Sequence, residues 1–211
     1  INLFRDPRWG RGHETFGEDP YLTSRMGVAF IRGIQGPDRN GLKAAACAKH
    51  FAVHSGPEDE RHRFNAVCSD YDLWNTYLPA FESAVKEGEV EAVMGAYNRT
   101  LGEPCCGSHL LLTEILREKW HFDGHTVSDC WAIKDFHVHH HVTNSPVESA
   151  ALAVKNGCDI NCGTMFDYCL QAVEEGLIDE LGGLAQAVGK LTELIEARIP
   201  AQKKGVYYEN N

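Results

Sequence analysis

The stretch TVSDCWAI, residues 126–133, carries a short apolar run into a serine, a carboxylate, a thiol and an indole. A short apolar run that ends in polar residues is typical of a buried strand in a parallel sheet. Four further runs lead into polar clusters in the same way: RDPRWGRGHE (5–14), KHFAVHSG (49–56), GAYNRTLGEP (95–104) and DINCG (159–163). The repeated pattern indicates five strands whose polar ends form one rim.

Amphipathic segments separate these strands. In residues 20–36 the apolar residues Leu22, Met26, Phe30 and Ile34 recur every four positions, which predicts a helix that ends at the following glycines. The other predicted helices lie at 69–88, 108–120, 145–157, 165–178 and 184–199, with Ser69 and Ser145 at cap positions. Strands that alternate with helices, without a hairpin signal, predict βα units and a parallel sheet.

A (β/α)8 barrel fits this order better than a doubly wound dinucleotide fold. A dinucleotide fold requires a glycine-rich turn between a strand and a helix, and GRGHETFGEDP (10–20) lacks the required spacing. Barrels place their chemistry at the carboxyl ends of the strands, where the polar clusters stand. Because five strands are fewer than eight, we expect an incomplete TIM-barrel-like α/β domain over residues 1–199, with its first strands missing. A polar tail, 200–211, follows.

Composition limits the function class. The 211 residues, 43% hydrophobic and 24% charged, fit one globular domain. A net charge of −10 disfavours nucleic acid and anionic membranes as partners. Without an apolar run of about 18 residues, we expect a soluble protein. The first residues lack both an initiator Met and a signal-peptide pattern, which suggests a chain cut at its front and leaves cytoplasmic, secreted and periplasmic locations open.

Eight cysteines in 211 residues are too few for a disulfide scaffold. Several stand in apolar, strand-like contexts, so packed and reduced thiols are the expectation. Cys105 and Cys106 are adjacent and do not easily bridge each other, but either could pair elsewhere, and the state of Cys130 is open. The absence of a C-x-x-C pair disfavours a zinc knuckle.

Asp129 is the foremost candidate for a functional carboxylate, because it follows a strand at the predicted rim. The alternative role is a helix N-cap, which is common for aspartate at a βα turn. Lys49 and His50 follow the second strand. Neighbours on a strand point to opposite faces, so both can contact one ligand only if the strand has ended there. The alternative is a solvated lysine and a packed histidine.

Other rim residues also allow two interpretations. Arg8 and Arg11 flank a tryptophan, and they either bind a ligand or form surface salt bridges. Tyr97 either contacts a ligand or packs at the rim. The histidines of HVHHHV (137–142) include three in a row that cannot share one face, so a loop with adventitious metal affinity is favoured over a catalytic zinc site.

Together these residue types suit a neutral, polyhydroxylated ligand. Sugars offer hydroxyl groups to charged side chains and apolar faces to aromatic rings. Hydrolysis of a glycoside further requires two carboxylates, one on each side of the scissile bond.

Four ordered motifs carry a family resemblance: residues 4–22, 45–58, 92–133 and 151–163, which read FRDPRWGRGHETFGEDPYL, AACAKHFAVHSGPE, AVMGAYNRTLGEPCCGSHLLLTEILREKWHFDGHTVSDCWAI and ALAVKNGCDINCG. They resemble the N-terminal catalytic barrel of glycoside hydrolase family 3, the β-glucosidase and β-xylosidase family. The resemblance implies a retaining hydrolase of O-glycosyl bonds in carbohydrate catabolism, which acts on a small glycoside or oligosaccharide and needs no cofactor or metal. It leaves glucoside or xyloside preference and the oligomeric state open.

The resemblance also implies roles for individual residues. Asp129 corresponds to the nucleophile that forms a covalent glycosyl-enzyme. Arg11, Lys49 and His50 correspond to residues that hold the sugar hydroxyls, and the cations should favour the ionised form of Asp129. Tyr97 would lie against the nucleophile. Arg63, in RHRFNA, is a further sugar contact, and Trp131 and Cys130 would line the pocket mouth.

The second carboxylate is not evident in this chain. In the family it is usually a glutamate in a sandwich domain after the barrel, so the resemblance implies a missing C-terminal domain and little activity for the 211 residues alone. One branch uses a His–Asp pair in the loop after the KHF motif, and neither His54 nor His62 matches that pair. Glu58, Asp59, Glu60 and Glu103 are local candidates, although a solvated charge run is the favoured interpretation of 58–60.

Two alternatives remain beside a retaining β-glycosidase. One is a carbohydrate-binding barrel without catalysis, which keeps Asp129 and the sugar-holding residues but has no acid/base. The other is a metal-dependent barrel hydrolase that uses the histidines at 137–141.

Overall fold

The computed structural model describes residues 1–38 and 41–179, together with Gly189 and Thr192. Nearly all of the predicted helix 184–199 and the whole tail 200–211 lie outside the described residues, so this helix and the boundary at residue 199 stay predictions. Within the described ranges, strands and helices alternate in the predicted order, and no helix is long and apolar enough to cross a membrane.

In the part of the chain that the structure describes, six short strands form two sheets. They are β1 (Cys47–Phe51), β2 (Asn65–Ala66), β3 (Ala92–Gly95), β4 (Arg99–Thr100), β5 (Glu103–Pro104) and β6 (His125–Val127). The strands β1, β3 and β6 lie side by side in that order and run parallel. A parallel bridge from Val127 to Ile160 adds the fourth predicted strand run to the same sheet. The predicted parallel sheet is therefore confirmed.

The run before RDPRWGRGHE was expected to form a strand, and that prediction is wrong. The Asn2 side chain donates to the carbonyl oxygens of His50 at 2.7 Å and Ala52 at 2.8 Å, and its own oxygen accepts from the His50 amide at 2.7 Å. The amino group of Ile1 donates to the Lys49 carbonyl at 2.7 Å. A side chain and a chain terminus thus take the hydrogen-bonding positions beside β1 that a neighbouring backbone would occupy.

The predicted helices within the described ranges are present. They are α1 (Pro20–Gln35), α2 (Asp70–Asp72), α3 (Pro79–Lys86), α4 (Asp135–Val138), α5 (Pro146–Lys155) and α6 (Cys169–Glu174), with π-helices at Leu73–Tyr77 and His109–Lys119. Short 3-10 helices occur at Gly12–Glu14, Glu58–Glu60, Cys105–Gly107, Ala132–Lys134 and Met165–Tyr168. The predicted caps are confirmed, because Ser69 accepts from the Asp72 amide at 3.0 Å and Ser145 from the Glu148 amide at 3.1 Å.

The orientation of α1 differs from its predicted apolar stripe. Leu22, Met26 and Phe30 are exposed, although they recur at helical spacing. The buried face instead carries mainly small residues, which allow α1 to lie close to α3. This face comprises Thr23, Ser24, Gly27, Val28, Ile31 and Gln35. Periodicity therefore predicted the helix correctly, although three of the four apolar residues that revealed it are exposed.

The second sheet contains a hairpin that the sequence did not predict. Strand β2 pairs with β4 in parallel, and β4 pairs with β5 antiparallel. The two residues between β4 and β5, Leu101 and Gly102, both have positive φ values, +53° and +92°. Tight hairpin turns use such values, usually with asparagine or glycine at the first position. A leucine there, between strands of two residues, leaves almost no pattern in the sequence.

The main core lies between the parallel sheet and the helices that cover it. Phe51, at the end of β1, is fully buried and meets Phe81 of α3 edge to face, with ring centroids 5.0 Å apart. Trp120 contacts the other side of Phe51 at 5.8 Å. The π-helix His109–Lys119 adds Leu111, Leu112, Ile115 and Leu116 to this core. The packing fixes the helices on the sheet and leaves the strand ends free for polar groups.

The packing of α1 and α3 predicts opposite outcomes for two phenylalanine truncations. Phe81→Ala should lower the free energy of unfolding by about 3–5 kcal/mol, because it removes a large side chain that is 1% exposed. Phe30→Ala should change it by less than about 0.5 kcal/mol, because Phe30 is 61% exposed. Urea unfolding of both variants measures the difference, and equal losses would contradict the observed orientation of α1.

Candidate active site

Asp129 lies two residues after β6, at the carboxyl edge of the parallel sheet, and is only 8% exposed. Its Oδ1 atom accepts a hydrogen bond from the Cys130 amide at 2.8 Å. In the described part of the chain, no donor forms a well-aligned hydrogen bond with Oδ2. The side chain does not cap the 3-10 helix Ala132–Lys134, which has no side-chain cap. The helix-cap interpretation is therefore wrong, and one carboxylate oxygen is buried and available.

Arg11 connects two histidines beside this carboxylate. Its guanidinium nitrogens lie 3.2 Å from Nε2 of His50 and 3.3 Å from Nε2 of His54. An arginine can only donate, so both Nε2 atoms accept and both rings carry their proton on Nδ1. In agreement, burial lowers the pKa of His50 far below its usual range and the pKa of His54 to about 4. Both histidines are neutral at pH 7.

His50 is the histidine nearest to the carboxylate. Its Nε2 atom lies 3.3 Å from Oδ2 of Asp129. Because the single lone pair of this nitrogen already accepts from Arg11, Nε2 has no proton to donate to the carboxylate, and the contact is neither a hydrogen bond nor an ion pair. The register of β1 against β3 shifts between Lys49 and Phe51, which takes His50 out of the regular strand alternation. Lys49 and His50 thus lie within β1 rather than after it, and this irregularity allows both side chains to face the rim.

Glu14 holds the two cations of the site. It accepts from Arg11 Nε at 2.9 Å and lies 3.5 Å from Nζ of Lys49. The hydrogen bond from Arg11 lowers the pKa of Glu14 to about 2, so it stays ionised. Arg11 and Glu14 are three residues apart on one helical turn, and that spacing is the signal the sequence offered for this missed residue.

Burial and cations act on Asp129 in opposite directions. Burial raises the pKa of Asp129 above its usual value, while the Cys130 amide, Arg11, Tyr97 and Lys49 lower it by smaller amounts. The cations thus act as expected, but burial outweighs them. Burial and the nearby carboxylate raise the pKa of Tyr97 to about 12, so its hydroxyl keeps its proton and can donate to Asp129.

Two predicted arginines do not join the site. Arg63 is exposed and pairs with Glu60 at 2.6 Å, so no described contact supports its expected role at the sugar. Arg8 pairs with Asp6 at 2.6 Å on the surface, as the salt-bridge alternative had it. Arg61 stands nearer to the site instead, with its guanidinium 5.4 Å from the Tyr97 ring centre. Only one residue, His62, separates Arg61 from Arg63, so the sequence alone does not choose between them.

His62 forms a histidine–aspartate pair that the sequence did not reveal. Its Nδ1 lies 2.8 Å from Oδ2 of Asp135, a buried residue of α4 that is 73 positions away in the chain. The His62 ring also contacts Tyr97, with centroids 4.6 Å apart. Nε2 of His62 accepts from Arg61 Nε at 3.4 Å. Both ring nitrogens are therefore already engaged.

The histidines at 137–141 are dispersed. His137 contacts Ser149 at 2.9 Å, His139 lies 3.6 Å from Asp135, and His140 is buried, which lowers its pKa to about 4. Across the ranges 1–38 and 41–179, no three histidine, cysteine or carboxylate side chains converge as metal ligands would. The geometry gives no support to the alternative of a metal-dependent hydrolase.

A disulfide adjoins Asp129, which corrects the expectation of reduced thiols for two of the eight cysteines. Cys130 bonds to Cys162, with their Cα atoms 4.4 Å apart. Cys105 and Cys106 are buried and free, as are Cys158 and Cys169, while the free Cys47 is exposed. Cys130 and Cys162 lie on loops that follow neighbouring strand runs, a proximity that 32 positions of separation do not reveal.

Trp131 follows the disulfide and is 54% exposed. Its backbone has φ +68°, a region that costs a non-glycine residue about 1–3 kcal/mol. The indole lies against Gly163, where an added Cβ atom would be 3.2 Å from the ring. Two residues from Asp129, this half-exposed ring is in position to contact a ligand.

A small cavity adjoins the site. Its walls include Trp9, Glu14, Lys49 and His50, and its volume is about 40 Å³. Ligand pockets usually measure about 300–1,000 Å³. This cavity is therefore too small to hold a sugar, and Asp129 is not among its lining residues.

Comparison with known proteins agrees with this geometry. The family described as "Glycosyl hydrolase family 3 N terminal domain" matches residues 1–206. A xylan 1,4-beta-xylosidase of Xylanibacter ruminicola is 50% identical over 184 residues, which cover 85% of this chain and 21% of that protein. A beta-xylosidase/alpha-L-arabinofuranosidase of Medicago sativa subsp. varia is 43% identical over 187 residues, covering 85% of this chain and 24% of that protein.

Solved structures show the same fold. A GH3 exo-beta-xylosidase in complex with a xylobiose aziridine activity-based probe superposes with a TM-score of 0.88 at 32% identity, covering 93% of this chain and 26% of that one. A beta-glucosidase from Listeria innocua in complex with isofagomine gives a TM-score of 0.88 at 32% identity, covering 100% and 30%. The chain has the predicted TIM-barrel-like α/β fold and spans about a quarter of the length of these relatives.

The buried charge of Asp129 predicts a stabilising substitution. Asp129→Asn should raise the free energy of unfolding at pH 7, because it removes a charge whose burial the folded protein disfavours. Burial raises the pKa of Asp129 in the folded state. The free-energy cost of burying its charge is therefore fully present at pH values above that pKa and vanishes at pH values below the pKa of Asp129 in the unfolded chain. Urea unfolding at several pH values should show the gain shrinking as the pH falls.

Asp159→Asn provides the matched control. Asp159 pairs with Arg117 at 2.7 Å, and both side chains are largely buried. Removing its charge should destabilise the protein by about 3–5 kcal/mol, because it leaves a buried cation unpaired. A comparable loss in Asp129→Asn would contradict the description of Asp129 as an unneutralised carboxylate.

Proposed function

The chain belongs to glycosyl hydrolase family 3, and we propose that it is the catalytic barrel of a retaining β-glycosidase with Asp129 as its nucleophile. The observation that carries this proposal is the Oδ2 atom of Asp129, which is buried at the carboxyl edge of the sheet and has no well-aligned donor in the described ranges. An oxygen without such a donor keeps its lone pairs for attack. Barrel enzymes bind their substrates at this edge.

The reaction proceeds through a covalent intermediate. Oδ2 of Asp129 attacks the anomeric carbon, a carbon–oxygen ester bond forms, and the bond to the leaving oxygen breaks. Water then attacks the same carbon from the opposite side, releases the sugar and returns the carboxylate. Two inversions give net retention of configuration.

The residues around Asp129 have complementary tasks in this proposal. Lys49 is half-exposed and touches Glu14 through one of its three donor positions, so its ammonium group has protons left for sugar hydroxyls. Burial keeps His50 neutral and Arg11 orients it, which prevents a buried histidinium from pairing with the nucleophile. Tyr97 donates to the carboxylate before the attack. Trp131 offers an apolar surface to a sugar face.

A β-xyloside is the first substrate to test. The bacterial and plant relatives cited above are named xylosidases, whereas the solved structures include a xylosidase and a β-glucosidase. Xylose and glucose differ in one hydroxymethyl group, so a pocket that excludes this group would favour the xyloside.

The proton for the leaving group is proposed to come from a carboxylate outside these 211 residues, in a sandwich domain that follows the barrel. Three of the four local acidic candidates already have other partners, and the fourth, Asp59, is exposed on the 3-10 helix Glu58–Glu60. Glu58 pairs with Arg61 and Glu60 with Arg63, while Glu103 accepts hydrogen bonds from Ser108 and the Leu110 amide; these contacts are those of structural residues. The chain alone is then expected to have little activity on substrates whose leaving groups need protonation.

Trapping the intermediate tests the nucleophile independently of the acid. A 2,4-dinitrophenyl 2-deoxy-2-fluoro-β-xyloside carries a leaving group that departs without protonation, and its fluorine slows hydrolysis of the ester. Asp129 should be labelled, and peptide mass spectrometry should locate the label on residues 126–133. Asp129→Ala should abolish labelling.

The 211-residue chain should label in this way and still release p-nitrophenol from an aryl β-xyloside slowly. Labelling at another residue, or undiminished labelling of Asp129→Ala, would overturn the assignment. Binding of xylose without any labelling would favour the alternative of a carbohydrate-binding barrel. Rapid hydrolysis that depends on Asp129 would show that the acid lies within the chain.

A further inference from the structure

Two loops meet beside Asp129, and backbone hydrogen bonds join them. The parallel bridge between Val127 and Ile160 continues into a hydrogen bond from the Ser128 amide to the Ile160 carbonyl at 2.9 Å. The Cys162 amide donates to Ser128 Oγ at 3.0 Å, and the Trp131 amide donates to the Cys162 carbonyl at 2.8 Å. The segment that carries Asp129 is thus attached to its neighbour both before and after the carboxylate.

The Cys130–Cys162 disulfide closes the same junction covalently. Cys130 is the residue next to Asp129, and its amide is the donor that fixes Oδ1 at 2.8 Å. Because one residue supplies both the sulfur and this amide, the bond that holds the sulfur also restrains the amide that holds Oδ1. Since Oδ1 and Oδ2 belong to one planar carboxylate, the hydrogen bond to Oδ1 also restrains the direction of Oδ2, the oxygen proposed to attack.

The bond also constrains Trp131. This residue has a left-handed backbone, φ +68°, which side chains other than glycine seldom adopt. The disulfide precedes it, the hydrogen bond to Cys162 holds its amide, and Gly163 supports its indole. A strained conformation persists only where neighbouring contacts define it in this way.

We propose that the Cys130–Cys162 disulfide is a positioning element for the nucleophile, so that its reduction slows the attack of Asp129 on a glycoside; this rests on the function proposed above. The bond is open to reductants, because Cys130 is exposed and Cys162 is half-buried. The hydrogen bonds between the two loops do not depend on the sulfurs, so the barrel remains folded after reduction. The segment 129–131 then gains freedom, and a misplacement of about 1 Å can cost about 100-fold in rate.

The test compares trapping rates before and after reduction in the full chain. A water-soluble phosphine breaks the bond: each sulfur gains a proton, and the phosphine leaves as its oxide with an oxygen atom from water. The 2,4-dinitrophenyl 2-deoxy-2-fluoro-β-xyloside then reports the first-order labelling constant and the half-saturating concentration separately. The first-order constant should fall by about 10- to 100-fold. The half-saturating concentration should rise by a smaller factor, because of the proposed sugar contacts only Trp131 gains freedom, while Arg11, Lys49 and His50 are not attached to the bond.

Matched variants separate this role from general stability. Cys162→Ser should match the reduced protein and should show no further change with phosphine. Cys68→Ser removes a free and half-buried thiol two residues after β2. This variant should label like the oxidised protein and should still slow down when phosphine is added. Reoxidation should restore the labelling rate, and thermal unfolding curves should show folded protein in every sample at the assay temperature.

Three results would overturn the proposal. Intact mass without reductant could show eight free thiols, reduction could leave the labelling constant unchanged, or reduction could unfold the protein, which would make the bond structural only. If Asp129 in the oxidised protein is not labelled at any concentration of the probe, the proposed function itself is rejected, and this inference is rejected with it.

Discussion

Hydrogen bonds between parallel strands hold the residues after β1, β3 and β6 at one edge of the sheet, and the composition of the site follows from this alignment. Each strand contributes a different group at the point where its ladder ends: Lys49 and His50 from β1, Tyr97 after β3, and Asp129 after β6. No single segment of the chain contains all the residues of the candidate active site. The core behind the sheet, centred on Phe51, packs against these strands and fixes their positions relative to one another. It therefore determines how accurately the side chains at the strand ends face one another.

The electrostatics of this edge depend on a donor that cannot become an acceptor. Arg11 donates to His50 and His54 and so selects their tautomers, while Glu14 neutralises the charge that the arginine brings. The result is a carboxylate, Asp129, surrounded by cations held at a distance and by neutral rings close by. Such an arrangement leaves the carboxylate basic, since burial raises its pKa, and without a counter-ion in direct contact.

Sequence reasoning succeeded where a pattern extends over many residues and failed where three-dimensional contact decides. Helices with caps and strands with polar ends were predicted from local chemistry, and the family motifs directed attention to Asp129. The apolar residues that revealed α1 do not lie on its buried side, because small residues pack as well as large ones when two helices lie close. The hairpin after β4 has a leucine in its turn, and the Cys130–Cys162 bond joins positions that only the sheet brings together. The choice between Arg61 and Arg63 depends on a local chain direction that composition does not encode.

Asn2 shows how a position can be restricted without any role in chemistry. Its carboxamide both donates to and accepts from the end of β1, as a peptide group in a neighbouring strand would. Aspartate would offer two acceptors to a chain that presents two carbonyls, and leucine would offer neither group. During evolution this site should therefore tolerate fewer replacements than an ordinary loop position, although its side chain touches only backbone. Because the carboxamide takes the place of a peptide group beside β1, its replacement should be as restricted as a change that breaks a strand's hydrogen bonds.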